Sequence, residues 1–240
     1  MIIDTPSQLN AEQSVGDWVT ADYRFATVFE KHGIDFCCGG QKPVQEACAE
    51  RGVSPETILR EVTQVAAAPG SGERYDQWAP DFLADYIVNQ FHNYTKEALP
   101  KIGDYLTAVV EAHGIAHPET RTIADLWVGI QAELSLHMQK EELLLFPYIR
   151  QLVRSGAAEK PPFGSAQALI AEMEAEHDAT GDALAQIAHL SDSYTPPADA
   201  CPTYRTLYAL LQEFDAATKK HVHLENNILF PKAVGLEGEP

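Results

Sequence analysis

The stretch "HMQKEELLLFP" at 137–147 and its partial copy "HVHLENNILFP" at 221–231 decide how this chain is read. Both place His, Glu, Leu, Phe and Pro at the same five offsets. The repeat extends upstream, because "HNYTKEALPKI" at His92 and "HDATGDALAQI" at His177 share His, Thr, Ala, Leu and Ile. The chain therefore reads as a helical hairpin used twice. Each copy supplies one lone histidine on its first helix and a His-x3-Glu pair on its second. Two half-sites of this kind make one site on a pseudo-twofold axis.

Residues i and i+4 of an α-helix differ by only ~40° in direction, and their Cβ atoms lie ~5–6 Å apart. His137 can therefore converge with Glu141, and His221 with Glu225. On a regular helical wheel His137 lines up with Leu126, Ile130, Leu144 and Tyr148, and His221 with Leu210, Phe214 and Ile228. His92 falls on the stripe of Val88, Leu99 and Leu106, and His177 on that of Ile170, Met173 and Leu184. All six donors are expected to face one apolar interior. A single histidine on such a stripe is ordinarily a satisfied core residue. Four imidazoles and two carboxylates together need a positive charge, since each buried carboxylate costs several kcal/mol. No Lys or Arg recurs at matching offsets: Lys140 corresponds to Leu224, and Lys96 to Gly181. A pair of metal ions, bridged by Glu141 and Glu225, supplies the charge and accounts for the duplication. Imidazole and carboxylate without thiolate fit non-haem iron, with manganese next. The "LFP" tails are assigned to packing. His32, His113, His117 and His189 are expected to face water, and His223 to point away from the site.

Apolar spacing is helical over roughly 81–112, 120–153, 165–190 and 203–233, which predicts an all-α fold built on an antiparallel four-helix bundle. The intervening loops are "AHGIAHPE", "SGAAEKPPFG" and "SDSYTPPADACP", and Pro147 and Pro231 are expected to kink or end their helices. "AAAPGSGERYDQ" at 66–77 has little to bury and reads as a flexible linker able to span roughly 20 Å. The expected domains are a small helical module at 1–68, a linker at 69–78 and the bundle at 79–240. Within the module, helices are expected over Thr20 to about Lys31 with Gly33 as cap, Pro43 to about Arg51 ended by Gly52, and from Ser54 onward.

With 35 acidic against 17 basic residues, the net charge of −18 excludes nucleic acid and anionic membrane surfaces as partners. There is no apolar run of ~20 residues and no signal-like N-terminus, so the protein is expected to be cytoplasmic. It is expected to act as a monomer or homodimer. Cys37, Cys38, Cys48 and Cys201 do not form a disulfide framework. Cys37 and Cys38 lie in "DFCCGG" at 35–40, a glycine-flanked turn that could present accessible thiolates for redox or nitric oxide chemistry. Cys48 and Cys201 are read as inert.

The "DFCCGG" module followed by His, His-x3-Glu, His and His-x3-Glu, with "EAEHDATG" at 174–181 and "HLENNILFP" at 223–231, resembles the iron-sulfur cluster repair di-iron proteins. The C-terminal domain of that family is hemerythrin-like. The resemblance implies two non-haem iron ions held by His92, His137, Glu141, His177, His221 and Glu225, with an oxo bridge and both glutamates bridging. It further implies repair of iron-sulfur proteins damaged by nitric oxide or peroxide, by iron donation, nitric oxide reduction or both. The stripes carry one histidine fewer than oxygen-carrying hemerythrins use, which leaves a coordination position for a diatomic ligand or for labile iron. A hemerythrin-like oxygen or nitric oxide sensor is the alternative reading.

Overall fold

A computed structural model describes residues 9–70, 72–155, 161 and 163–238. Residues 1–8 and most of the loop at 155–164 lie outside the described residues. No strand forms among the described residues; the only β pairing is the isolated bridge of Ser14 with Pro43.

The module holds α1 (Val15–Ala21), α2 (Ala26–Lys31), α3 (Val44–Arg51) and α4 (Pro55–Ala67). The single helix expected from Thr20 onward is instead two. Asp22 is extended at φ −157°, and its carboxylate caps the 3-10 turn at Tyr23–Phe25 by accepting from Arg24 N. Ser14 and Asp17 form the reciprocal capping box that starts α1. Gly52 ends α3 at φ 67°, and Ser54 with Pro55 opens α4, as their residue types dictate.

The bundle's first long helix is α5 (Pro80–Ile87) and α6 (Asn93–His113), joined through a π-turn at Val88–His92. The second is α7 (Glu119–Lys140) and α8 (Phe146–Ser155), joined through a π-turn at Glu141–Leu145. The third is the regular α9 (Ala166–Leu190). The fourth is α10 (Pro202–Leu224) and α11 (Phe230–Gly238), joined through a π-turn at Glu225–Leu229. Pro147 and Pro231 therefore neither end nor sharply break their helices. Each follows a widened turn, which relieves the clash between the proline ring and the carbonyl four residues back.

The extra residue in each π-turn rotates everything after it by about 100° relative to a regular wheel. Leu144, expected on the inward stripe, is 38% exposed, whereas Leu145 is fully buried. On α9, which has no π-turn, Ile170, Met173 and Leu184 are all buried as expected.

All four helices share one order of layers. One apolar cluster contains Ile87, Phe91, Leu145, Phe146, Met173, Ile228 and Phe230. A second contains Leu99, Leu134, Leu184 and Phe214. The six donors sit between these clusters on every helix. The segment expected as a flexible linker is also anchored: Tyr75 is buried in the first cluster against Trp78 and Tyr86, and Lys232 Nζ donates to Asp76 O and Trp78 O.

The module docks on the bundle through Asn227. Its Nδ2 donates to Phe36 O (3.3 Å) and Cys37 O (3.1 Å), and its Oδ1 accepts from Gln41 Nε2 (3.3 Å). Glycine is required where the amide seats. A Cβ on Gly16 would lie 2.3 Å from Asn227 Oδ1, and one on Gly40 2.4 Å from it. His223 points away from the donors, and its destination is this interface. It is buried between Tyr23 and Phe36, and burial pushes it down to about 4, so the ring is neutral.

Candidate metal centre

The structure brings all six predicted donors together, in two groups that share both carboxylates. One group is His92, Glu141, His221 and Glu225; the other is His137, Glu141, His177 and Glu225. Within each group the candidate donor atoms lie within 4.8 Å of one another, and every residue is buried. Glu225 places Oε1 2.8 Å from His221 Nε2 and Oε2 3.2 Å from His177 Nε2, one oxygen toward each group. Glu141 Oε2 lies 3.3 Å from His92 Nε2 and 3.4 Å from His137 Nε2.

The outer nitrogens fix the direction of the inner ones. His92 Nδ1 donates to Glu142 Oε1 (2.8 Å), His137 Nδ1 to Glu176 Oε2 (2.8 Å) and His177 Nδ1 to Asn226 Oδ1 (2.7 Å). In a neutral imidazole this leaves the Nε2 lone pair pointing inward. His137 and His177 consequently face each other Nε2 to Nε2 at 2.9 Å, and His92 faces His221 at 3.1 Å. Each pair at such a distance needs either a shared proton or a cation beside it. Divalent first-row ions with bonds of about 2.1 Å place neighbouring donors about 3 Å apart, which matches these separations. Glu141 Oε1 and Oε2 and Glu225 Oε2 are buried without a hydrogen-bond partner. Orphaned acceptors of this kind, among convergent lone pairs, fit a cation-binding centre.

Protons compete with a cation for the same Nε2 positions, and either one answers the two carboxylates. Burial opposes charge on His92 and His137, yet Glu141 and Glu225 lift them to about 10 and about 9. His221, wholly buried, goes down. Burial also opposes charge on Glu225, but the imidazoles around it hold it well below the usual carboxylate range. The nearest basic chains stop outside the imidazoles: Lys96 pairs with Glu142 (2.6 Å), and Lys140 with Glu172 and Glu176. Phe91 stacks on His221, Phe146 on His92 and Phe230 on His177, so the "LF" positions pack the donor rings.

The sequence reading missed Glu142, Glu176 and Asn226. A signal for two of them existed. Glu142 follows Glu141 and Asn226 follows Glu225, so the same offset in both copies orients the lone histidine of that copy. Lys96 and Gly181 also occupy matching positions. Lys96 neutralises Glu142, whereas the neutral Asn226 needs no such partner, and Cys38 of the module lies against Gly181.

The cysteines depart from expectation. Cys37 is buried and its thiol donates to Asp35 Oδ1 (3.2 Å). The neighbouring Cys38, burial and Asp35 all push it well above the ordinary thiol range, so it is no accessible thiolate. Cys38 is half-buried, with Sγ 3.6 Å from His177 O. Cys48 is fully buried in the module core. Cys201, read as inert, caps α10, where the Tyr204 backbone N–H and the His113 side chain pull it down to about 7. His189 is exposed, but His32, His113 and His117 are half-buried and engaged: His32 with Glu61, His113 against Tyr204, and His117 with Glu119 and Asp199.

A family model described as "Hemerythrin HHE cation binding domain" matches residues 83–233, and ScdA_N, a domain of unknown function, matches residues 11–66. The chain is 35% identical over 227 residues to "Iron-sulfur cluster repair protein YtfE" of Yersinia pestis (strain Pestoides F), spanning 95% of this chain and 98% of that relative. The protein of the same name from Yersinia pseudotuberculosis serotype O:1b (strain IP 31758) matches to the same extent. No helix among the described residues is long and apolar enough to cross a membrane. A hemerythrin-type bundle with two donor groups sharing their glutamates, preceded by an ScdA_N module, belongs to the family of the iron-sulfur cluster repair proteins.

Proposed function

We propose that the chain holds two iron ions, one in each donor group, and uses them in the cytoplasm to restore iron-sulfur proteins damaged by nitric oxide or peroxide. The observation that supports this reading is the sharing of Glu141 and Glu225 by both groups, which would let one ion in each group belong to a single binuclear centre. Bound iron would supply a Lewis-acidic, redox-active pair able to take a diatomic ligand or to give up one ion.

The protein's own residues do the rest. Glu142, Glu176 and Asn226 hold three imidazoles by their Nδ1–H groups, so that the Nε2 atoms cannot turn away. Phe91, Phe146 and Phe230 cover the rings and exclude water from the carboxylates. No thiolate lies in either donor group, and this keeps the set compatible with iron rather than structural zinc. The Cys37–Cys38 turn lies against the helix that carries His177, with Cys38 Sγ 3.6 Å from the His177 carbonyl.

The test is reconstitution of a nitric-oxide-inactivated iron-sulfur dehydratase by the iron-loaded protein, with wild type compared to Glu141→Gln and Glu225→Gln. Recovery with wild type and its loss in both variants is the expected result, alongside two irons per chain in the wild type. Equal recovery with the variants would overturn the reading.

A further inference from the structure

The "DFCCGG" turn is not a free tip. It forms one wall of a cavity of about 590 Å³ between the module and α9, where Asp35, Cys37 and Cys38 face His177, Asp178 and Gly181. The Asp35 carboxylate and the two thiols bring one donor atom each to within 4.8 Å of one another. Asp35 is held rigidly, accepting from the backbone N–H of Cys37 (2.8 Å), Cys38 (3.1 Å) and Gly39 (2.8 Å). Oδ1 takes the Cys37 and Cys38 N–H groups, whereas Oδ2 accepts only from Gly39 and retains a lone pair. Cys38 meets the bundle where α9 has glycine: a Cβ on Gly181 would be in van der Waals contact with Cys38 Sγ at 3.4 Å. The first copy of the repeat has Lys96 at that position.

Disulfide chemistry does not suit this geometry. The two sulfurs are 3.9 Å apart, against about 2.05 Å in a disulfide, and adjacent residues cannot close that gap without strain. Cation binding does suit it. Asp182 and Glu30 add negative charge to the wall, and the basic Lys219 on it is already paired with Asp215 (2.9 Å) and Glu30 (3.4 Å); Arg51 is the other basic residue lining the cavity. We propose that Asp35, Cys37 and Cys38 form a binding site for one thiophilic divalent cation, placed to pass it to or from the centre beneath His177. Binding replaces two S–H bonds with two metal–sulfur bonds and releases two protons to solvent, with no change of oxidation state. The transit role rests on the proposed function, whereas the binding does not.

The experiment is titration of the reduced, full-length, metal-loaded protein with Cd2+, followed by thiolate-to-cadmium charge-transfer absorption, to which a His/Glu centre contributes nothing. One Cd2+ per chain is expected. The band should vanish in Cys37→Ser and in Cys38→Ser and persist in Cys48→Ser and Cys201→Ser. Asp35→Asn keeps both thiols but removes the third donor's charge, and should lower the apparent affinity for Cd2+. Absence of the band at tenfold excess of Cd2+, or its survival in the Cys37→Ser/Cys38→Ser double variant, overturns the proposal. A protein that binds Cd2+ at these thiols but restores no clusters would sink the proposed function and leave this site standing.

Discussion

Asn227 is the peg that holds the cysteine turn against the bundle, and its seat allows a quantitative test. Asn227→Ala removes the bonds that its two Nδ2 hydrogens share among Phe36 O, Cys37 O and His223 Nδ1, and one accepted from Gln41. At about 1 kcal/mol net for each, and less for the exposed Gln41 amide, the cost is about 2–3 kcal/mol. Gly16→Ala puts a Cβ 2.3 Å from Asn227 Oδ1 and 2.8 Å from its Cγ, so the amide must leave and the same bonds are lost. That variant should also cost about 2–3 kcal/mol. In the double variant the oxygen is gone, and the remaining close neighbour, Gly40 O at 3.0 Å, can give by a few tenths of an ångström. The double variant should therefore cost no more than either single one, a coupling of about 2–3 kcal/mol. Urea unfolding followed by fluorescence of Trp18, which is buried in the module, measures all three. Additive costs would refute the claim that Gly16 exists to admit Asn227.

Glu142→Ala and Asn226→Ala should each weaken metal retention about 10–100-fold in chelator competition while all six donors remain, because His92 or His177 loses the group that orients it. Leu145→Ala should cost about 2–5 kcal/mol and Leu144→Ala under about 0.5 kcal/mol in thermal unfolding; a regular helix through Glu141–Leu145 would reverse the pair. Alkylation by iodoacetamide should find Cys201 first, with a rate that rises through about pH 7 as its lowered thiol ionises, while Cys37, raised by Cys38, burial and Asp35, stays slow; equal rates at both would contradict the placement of Cys201 at the start of α10.

The regular α9 shows what helical periodicity alone can deliver. His177, Ile170, Met173 and Leu184 fall inside as a simple wheel requires. Beyond Glu141 the same wheel fails at Leu144, since a π-turn changes the period locally and no residue type announces it except the proline that follows. The thiol pair shows a second limit. Glycines and cysteines at 37–40 read as an exposed turn, yet their partners, Asn227 and Gly181, lie on distant helices.

From the sequence alone came the all-α class, the duplicated hairpin and the six candidate side chains that the fold brings together, because helical period and residue chemistry are local properties repeated at fixed offsets. Only the tertiary structure decided which carboxylate spans which pair of imidazoles, that Glu142, Glu176 and Asn226 orient them, and that the cysteine turn closes over His177. Those facts depend on which distant segments meet, and a hydrogen-bond partner or the space left by a missing Cβ has no signature until they do.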